Sequence, residues 1–159
     1  MALPVNVLFV CLGNTCRSPV AALLAKELWG DAVLTASAGV DLNAGGKPAP
    51  QFGKDSIAAL PATIPADAKA RIVAALENHT SRQFANADMA PDVYVALHDD
   101  VRDALVSTYH IPKEQIVVLG VDDPWRSTPQ RELYVQSTRE IYDALIAKRG
   151  EIFATATRA

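Results

Sequence analysis

The sequence predicts one α/β domain built on a doubly wound, four-stranded parallel sheet flanked by helices. Short β-branched apolar runs alternate along the chain with stretches of helical periodicity. The leading run, Val5-Asn6-Val7-Leu8-Phe9-Val10, is mostly apolar without clean alternation, as a strand buried on both faces is. The 159 residues, half of them hydrophobic, suffice for one core, and no internal repeat or low-complexity segment divides them.

Strands are expected over residues 5–10, 32–37, 92–97 and 115–119. A first helix is expected over residues 19–29, where Val20, Leu23, Leu24 and Leu28 recur at helical spacing and Pro19 suits a first helical position. Residues 40–78 contain Gly45-Gly46, Pro48, Pro50, Gly53, Pro61 and Pro65, which read as a loop followed by helical pieces within 51–78. Their Ala-rich tracts between Ile57 and Leu76 favour helix over linker. Further helices are expected over 101–108 and 130–153. The last carries Leu133, Ile141, Leu145 and Ile152 among charges, a face for packing on the sheet, with fraying from Ala154. If the first strand is central, the loop after it lies at the topological switch point, where such sheets bind ligands.

That loop is Cys11-Leu12-Gly13-Asn14-Thr15-Cys16-Arg17-Ser18-Pro19. Between a strand and a helix, its successive N–H groups converge on an anion, and the helix N-terminus adds favourable partial charge. Gly13 allows close approach of the backbone to a ligand. Arg17, at C-x5-R spacing from Cys11, can hold two phosphate oxygens in its planar fork. The same field can lower the pKa of Cys11, and Ser18 is placed to donate to its thiolate. Cys11 is thus a candidate nucleophile for phosphate-monoester chemistry through a cysteinyl-phosphate, with the amides of residues 12–16 and Arg17 stabilising the equatorial oxygens. C-x5-R alone recurs by chance in buried structural cysteines; flanked by strand, glycine and helix it is specific.

Gly13-Asn14-Thr15-Cys16-Arg17-Ser18-Pro19 after an apolar strand resembles the signature loop of the low-molecular-weight protein tyrosine phosphatases. Asp123-Pro124-Trp125 resembles that family's Asp-Pro-aromatic tripeptide, and the resemblance spans nearly the whole chain. It implies the phosphotyrosine protein phosphatase I-like fold over residues 1–159, with 40–78 longer than usual. It also implies Asp123 as general acid and then general base, with Trp125 at the cleft. On its own, Asp-Pro-Trp is an ordinary turn signal, and Asp122 is a neighbouring carboxylate. Ser37-Ala38-Gly39 and His79 in Asn78-His79-Thr80-Ser81-Arg82 match two further family positions, where Ser and His hold the loop Asn, here Asn14. Without the family, Ser37 reads as a turn residue and His79 as a surface histidine.

The resemblance leaves two substrates in view. Phosphotyrosine is favoured by the family. Phosphoarginine, the substrate of the family's arginine phosphatase branch, is suggested by Thr15, by the aromatic-free stretch Val40-Asp41-Leu42-Asn43-Ala44 and by Gly46-Lys47. Leu97-His98-Asp99-Asp100-Val101 departs from the family's Met-Asp-x-x-Asn. Family members also form a disulfide between loop cysteines, implying that Cys16 could trap oxidised Cys11; otherwise Cys16 is a small buried filler. Arsenate reductases of the thioredoxin-coupled kind need cysteines downstream, and none follows Cys16. A non-catalytic phospho-ligand module could dispense with Cys11 and Asp123, yet both are present.

A net charge of −3 argues against a nucleic-acid partner. No run is long enough to span a bilayer, and residues 1–10 lack a signal-peptide pattern, so a cytoplasmic location is expected. His79, His98 and His110 lack metal-ligand spacing; neither metal nor cofactor is expected. The expected partners are a phosphorylated protein or peptide, with inorganic phosphate as product. The expected assembly is a monomer or weak homodimer.

Overall fold

The computed structural model describes residues 3–41, 43–86 and 90–158. Leu42, within the expected aromatic-free loop, and Met1 and Ala2 lie outside the described residues. Strands β1 (Val5–Cys11), β2 (Val33–Gly39), β3 (Val93–Ala96) and β4 (Ile116–Val118) form one parallel sheet in the order β2-β1-β3-β4. β1 is therefore interior, paired with β2 from Val5↔Val33 to Cys11↔Gly39 and with β3 from Val7↔Val93 to Val10↔Ala96. Its composition explains the position. Val7, Leu8, Phe9 and Val10 are all buried, the odd residues in one core layer and the even ones in the other.

The helices are α1 (Arg17–Trp29), α2 (Gln51–Asp55), α3 (Ala66–Glu77), α4 (Asp99–Ser107) and α5 (Arg131–Thr157). Residues of α1, α3 and α5 share one core with Val7, Phe9 and Cys11, while Val101 and Leu105 of α4 join Leu8 and Val10 in the other. Helices thus cover both faces, and the chain's direction across the sheet reverses beside β1. No helix among the described residues is long and apolar enough to cross a membrane.

The differences from expectation lie at element ends. α1 begins at Arg17, so Pro19 is its third residue, still among positions whose N–H has no intrahelical acceptor. Pro61 and Pro65 interrupt the Ala-rich tract. After α2 it forms the end of a 3-10 turn over Ser56–Ala59, and only after Pro65 the longer α3. The expected fraying from Ala154 does not occur. α5 continues to Thr157 because Thr155 and Ala156 are buried, and Phe153 meets the edge of Trp29 at 5.5 Å between ring centroids.

Candidate active site

β1 delivers Cys11 to the carboxyl edge of the sheet, and residues 12–16 turn from there into α1. The chain leaving β2 braces this loop: Val40 N–H donates to the Cys11 carbonyl (3.0 Å) and Asp41 N–H to the Leu12 carbonyl (2.9 Å). Gly39 makes that approach possible, since a Cβ there would stand 2.5 Å from the Leu12 oxygen and 2.9 Å from the Gly13 carbonyl carbon. Both obstacles are backbone, so Gly39→Ala must displace the loop. Urea unfolding should show a loss of about 1–3 kcal/mol. Turnover should fall on the order of 100-fold, as expected for reacting groups misplaced by about an ångström. Wild-type turnover by a folded Gly39→Ala protein would refute this account of the loop's support.

The turn is set by Asn14, fully buried with a left-handed φ of 57°. Its N–H donates to Cys11 Sγ (3.2 Å), its Nδ2 to Ser18 Oγ (2.9 Å), and its Oδ1 accepts from Arg82 N–H (2.8 Å). Its carbonyl oxygen lies 2.6 Å from His79 Nε2. A carbonyl only accepts, so this nitrogen carries the proton. These contacts offset the strain of a non-glycine residue at positive φ. Ser18 Oγ, already accepting from Asn14, has its own proton to offer Cys11 Sγ at 2.9 Å, against 3.4 Å to the Ala38 carbonyl. The side chain of Asn14 is held by Ser18 and the Arg82 main chain, while Ser37 contributes a carbonyl that accepts from Arg82 (3.4 Å). Ser37 pairs with Phe9 inside the sheet, two residues short of the loop.

The N–H groups of Gly13, Thr15 and Cys16 have no protein acceptor among the described residues. Together with the first turn of α1, they form a cluster of donors of the kind that suits an anion. Arg17 is only 3% exposed, and donates from Nη1 to the Val121 carbonyl (2.8 Å). Its Nη2 stands 3.7 Å from Asp123 Oδ2, too long for a tight pair. A buried guanidinium so loosely matched favours a further negative charge beside it. Asp123 Oδ1 accepts the Trp125 N–H (3.0 Å), which fixes the carboxylate at the rim. Asp122 turns away to His98 Nε2 (3.0 Å), and so does not compete for the site.

Cys16 differs from Cys11. Burial, then the neighbouring Cys11 and Asp123, push its thiol up to about 12, with Arg17 opposing. It is a neutral, buried thiol at ordinary pH and unsuited to nucleophilic attack.

Cys11, Leu12, Gly13, Thr15, Cys16 and Arg17 line one cleft of about 690 Å³ with Asp123 and Trp125. Trp125 is 66% exposed, a large aromatic on the rim. Asn14 and Ser18 are buried beneath the loop, and His79 and Ser37 border a separate cavity behind it. Among cleft residues that the sequence did not single out as site residues are Tyr134, Asp41 and Lys47, the last two raised only within stretches bearing on substrate. Burial, followed by Cys16 and Asp123, raises the pKa of the Tyr134 phenol. A signal for it existed: Tyr134, Thr138, Ile141 and Leu145 form the buried stripe of α5, and Tyr134 stands at its end nearest the loop. Asp41 and Lys47 had no periodicity to reveal them.

Residues 6–146 match the profile of the family described as low molecular weight phosphotyrosine protein phosphatase. No curated protein matches the chain in sequence. Among solved structures, the low molecular weight protein tyrosine phosphatase from T. tengcongensis is 25% identical, with a TM-score of 0.67 over 91% of this chain and 99% of that one. The YwlE arginine phosphatase from Geobacillus stearothermophilus is also 25% identical, at 0.66 over 93% and 94%. The Wzb protein of Vibrio vulnificus, solved with benzylphosphonate, is 22% identical, at 0.72 over 92% and 97%.

Proposed function

The chain belongs to the low molecular weight phosphotyrosine protein phosphatase family, and we propose that it hydrolyses phosphotyrosine in proteins through a phosphocysteine intermediate. The observation that carries this reading is the setting of Cys11 Sγ. It receives the Asn14 N–H and the Ser18 hydroxyl at the base of a cleft that also holds Arg17 and Asp123.

In the first step the Cys11 thiolate attacks phosphorus in line, forming an S–P bond as the P–O bond to the phenol breaks. Asp123 gives its proton to the departing oxygen. The loop amides and the Arg17 fork hold the three equatorial oxygens, where charge is spread in the transition state. In the second step Asp123, now a carboxylate, takes a proton from water as that water attacks phosphorus. Inorganic phosphate leaves and the thiolate returns. Ser18 and Asn14 serve Cys11 in both steps by stabilising it as nucleophile and as leaving group. Trp125 and Tyr134 provide aromatic walls for the phenol ring. No cofactor takes part, and the expected setting is the cytoplasm.

Phosphoarginine is the second reading, favoured by Asp41. Its N–H is fastened to Leu12 of the loop, and it lines the cleft with Oδ1 accepting the Asn43 N–H (2.9 Å), an acidic residue suited to a guanidinium substrate. Thr15 lies on the same wall. Likeness to the Geobacillus stearothermophilus arginine phosphatase supports the same reading.

Parallel kinetics on a phosphotyrosine and a phosphoarginine version of one peptide decide between the two. Preference for phosphotyrosine is expected; preference for phosphoarginine would replace that substrate and keep the mechanism. The acid is tested separately. Asp123→Asn should slow alkyl or phenyl phosphates on the order of 100-fold or more, and p-nitrophenyl phosphate far less, because nitrophenolate departs without a proton. Equal losses on both would remove Asp123 from the role of acid.

A further inference from the structure

We propose that the groove between α2 and α3 docks the peptide flanking the phosphorylated residue, and that it selects a segment with acidic side chains. This rests on the phosphoprotein reading above. The groove, about 520 Å³, has a shallow apolar floor of Ala58, Ala66 and Ala70 with the half-buried Val73. Lys54, Lys69 and Arg131 stand around it. A lone carboxylate lines it, Asp55, which is already engaged by Gln51 Nε2 (2.9 Å) and by Arg131 (3.8 Å). Lys69 donates to the Leu60 carbonyl (2.9 Å), which orders its ammonium without neutralising it. Three cations to one acid is a local inversion in a chain with 18 acidic and 15 basic residues. Such a surface draws a negatively charged partner.

The groove adjoins the cleft through two shared walls. Pro50 lines the cleft and Gln51 the groove; Tyr134 lines the cleft, while Arg131, one turn earlier on α5, lines the groove. α2 is the partition, and it lies directly on the loop. A Cβ at Gly53 would come within 3.0 Å of Cys16 Sγ. A peptide leaving the cleft thus has one short helix to cross. At about 3.3 Å per residue, a helix about 10 Å wide is crossed in roughly three residues. Acidic side chains three to five residues from the phosphorylated one would meet Lys54 and Lys69, with an apolar neighbour over the alanines. This assigns a task to α2 and α3 within the segment 40–78, which the chemistry of Cys11 leaves unused.

The test compares two phosphotyrosine peptides of equal length, one with a Glu-Leu-Glu segment at that distance and one with Lys-Leu-Lys. kcat/KM is measured at low and at physiological salt for the wild type and for a Lys54→Glu/Lys69→Glu variant. p-Nitrophenyl phosphate, too small to reach the groove, reports the chemistry and the fold of each protein. The wild type should prefer the acidic peptide about 10-fold at low salt, chiefly through KM, and less at physiological salt. The variant should lose or reverse the preference at unchanged p-nitrophenyl phosphate turnover. A wild type blind to the flanks, or a variant that keeps the wild-type preference, overturns the proposal. Should p-nitrophenyl phosphate be hydrolysed but no phosphopeptide of either amino acid, the phosphoprotein reading falls and the docking groove with it.

Discussion

Cys11→Ser is expected to abolish steady-state turnover, a loss on the order of 10⁴-fold or more, while leaving a folded protein that still binds inorganic phosphate. A serine hydroxyl needs a base to become a nucleophile, and no group bonded to Cys11 Sγ among the described residues is one. Its neighbours there, the Asn14 N–H and the Ser18 hydroxyl, can stabilise an anion but cannot remove a proton. His79 does not supply the base either, because the nitrogen it turns to the loop is the protonated Nε2, which donates to the Asn14 carbonyl. Phosphate binding depends on other groups, namely the unpaired loop amides and Arg17. Turnover on a phosphopeptide together with phosphate titration by calorimetry separates the two. Continued hydrolysis by the variant would remove Cys11 from the role of nucleophile. Loss of both hydrolysis and phosphate binding would mean instead that the sulfur helps to shape the loop.

Local chemistry made most of the site legible. The loop is nine consecutive residues whose geometry follows from a strand before it and a helix after it, so spacing alone places Cys11 against Arg17. Asp123 was legible for a different reason: its tripeptide carries a proline and an aromatic at fixed offsets, though nothing local shows that it meets Arg17, 106 residues away in sequence. The parts that stayed hidden depend on register between distant segments. Ser37 and Arg82 both come close to Asn14 in space, yet the partner is the Arg82 main chain. A backbone N–H carries no sequence signature. Tyr134 was hidden among ordinary core positions, because a buried aromatic at helical spacing is more often packing than a cleft wall. Fold class was similarly legible from alternating strands and helices. Strand order was not: β1 is interior because both its faces are apolar, but that only favours a central place and does not name its neighbours.

Arg17→Lys is expected to lower kcat/KM on the order of 10³-fold, with KM rising and kcat falling together. Each transition-state donor removed costs roughly 10²–10³ in rate, and an ammonium cannot match two phosphate oxygens with a planar fork. The structure adds a second cost. Arg17 reaches past the loop to the Val121 carbonyl at 2.8 Å and approaches Asp123 at 3.7 Å, so one buried side chain joins the loop of residues 12–16 to the segment bearing Asp123, the proposed acid. Lysine at this position can bond the carbonyl or face the phosphate, but not both. The loss should therefore overlap with that of Asp123→Asn. In a double-mutant cycle on phenyl phosphate, Arg17→Lys and Asp123→Asn should combine to less than the product of their separate effects. Independent effects would mean that the Arg17–Val121 bond does not position the acid. An Arg17→Lys protein within 10-fold of wild type would further show that phosphate is held by the loop amides alone.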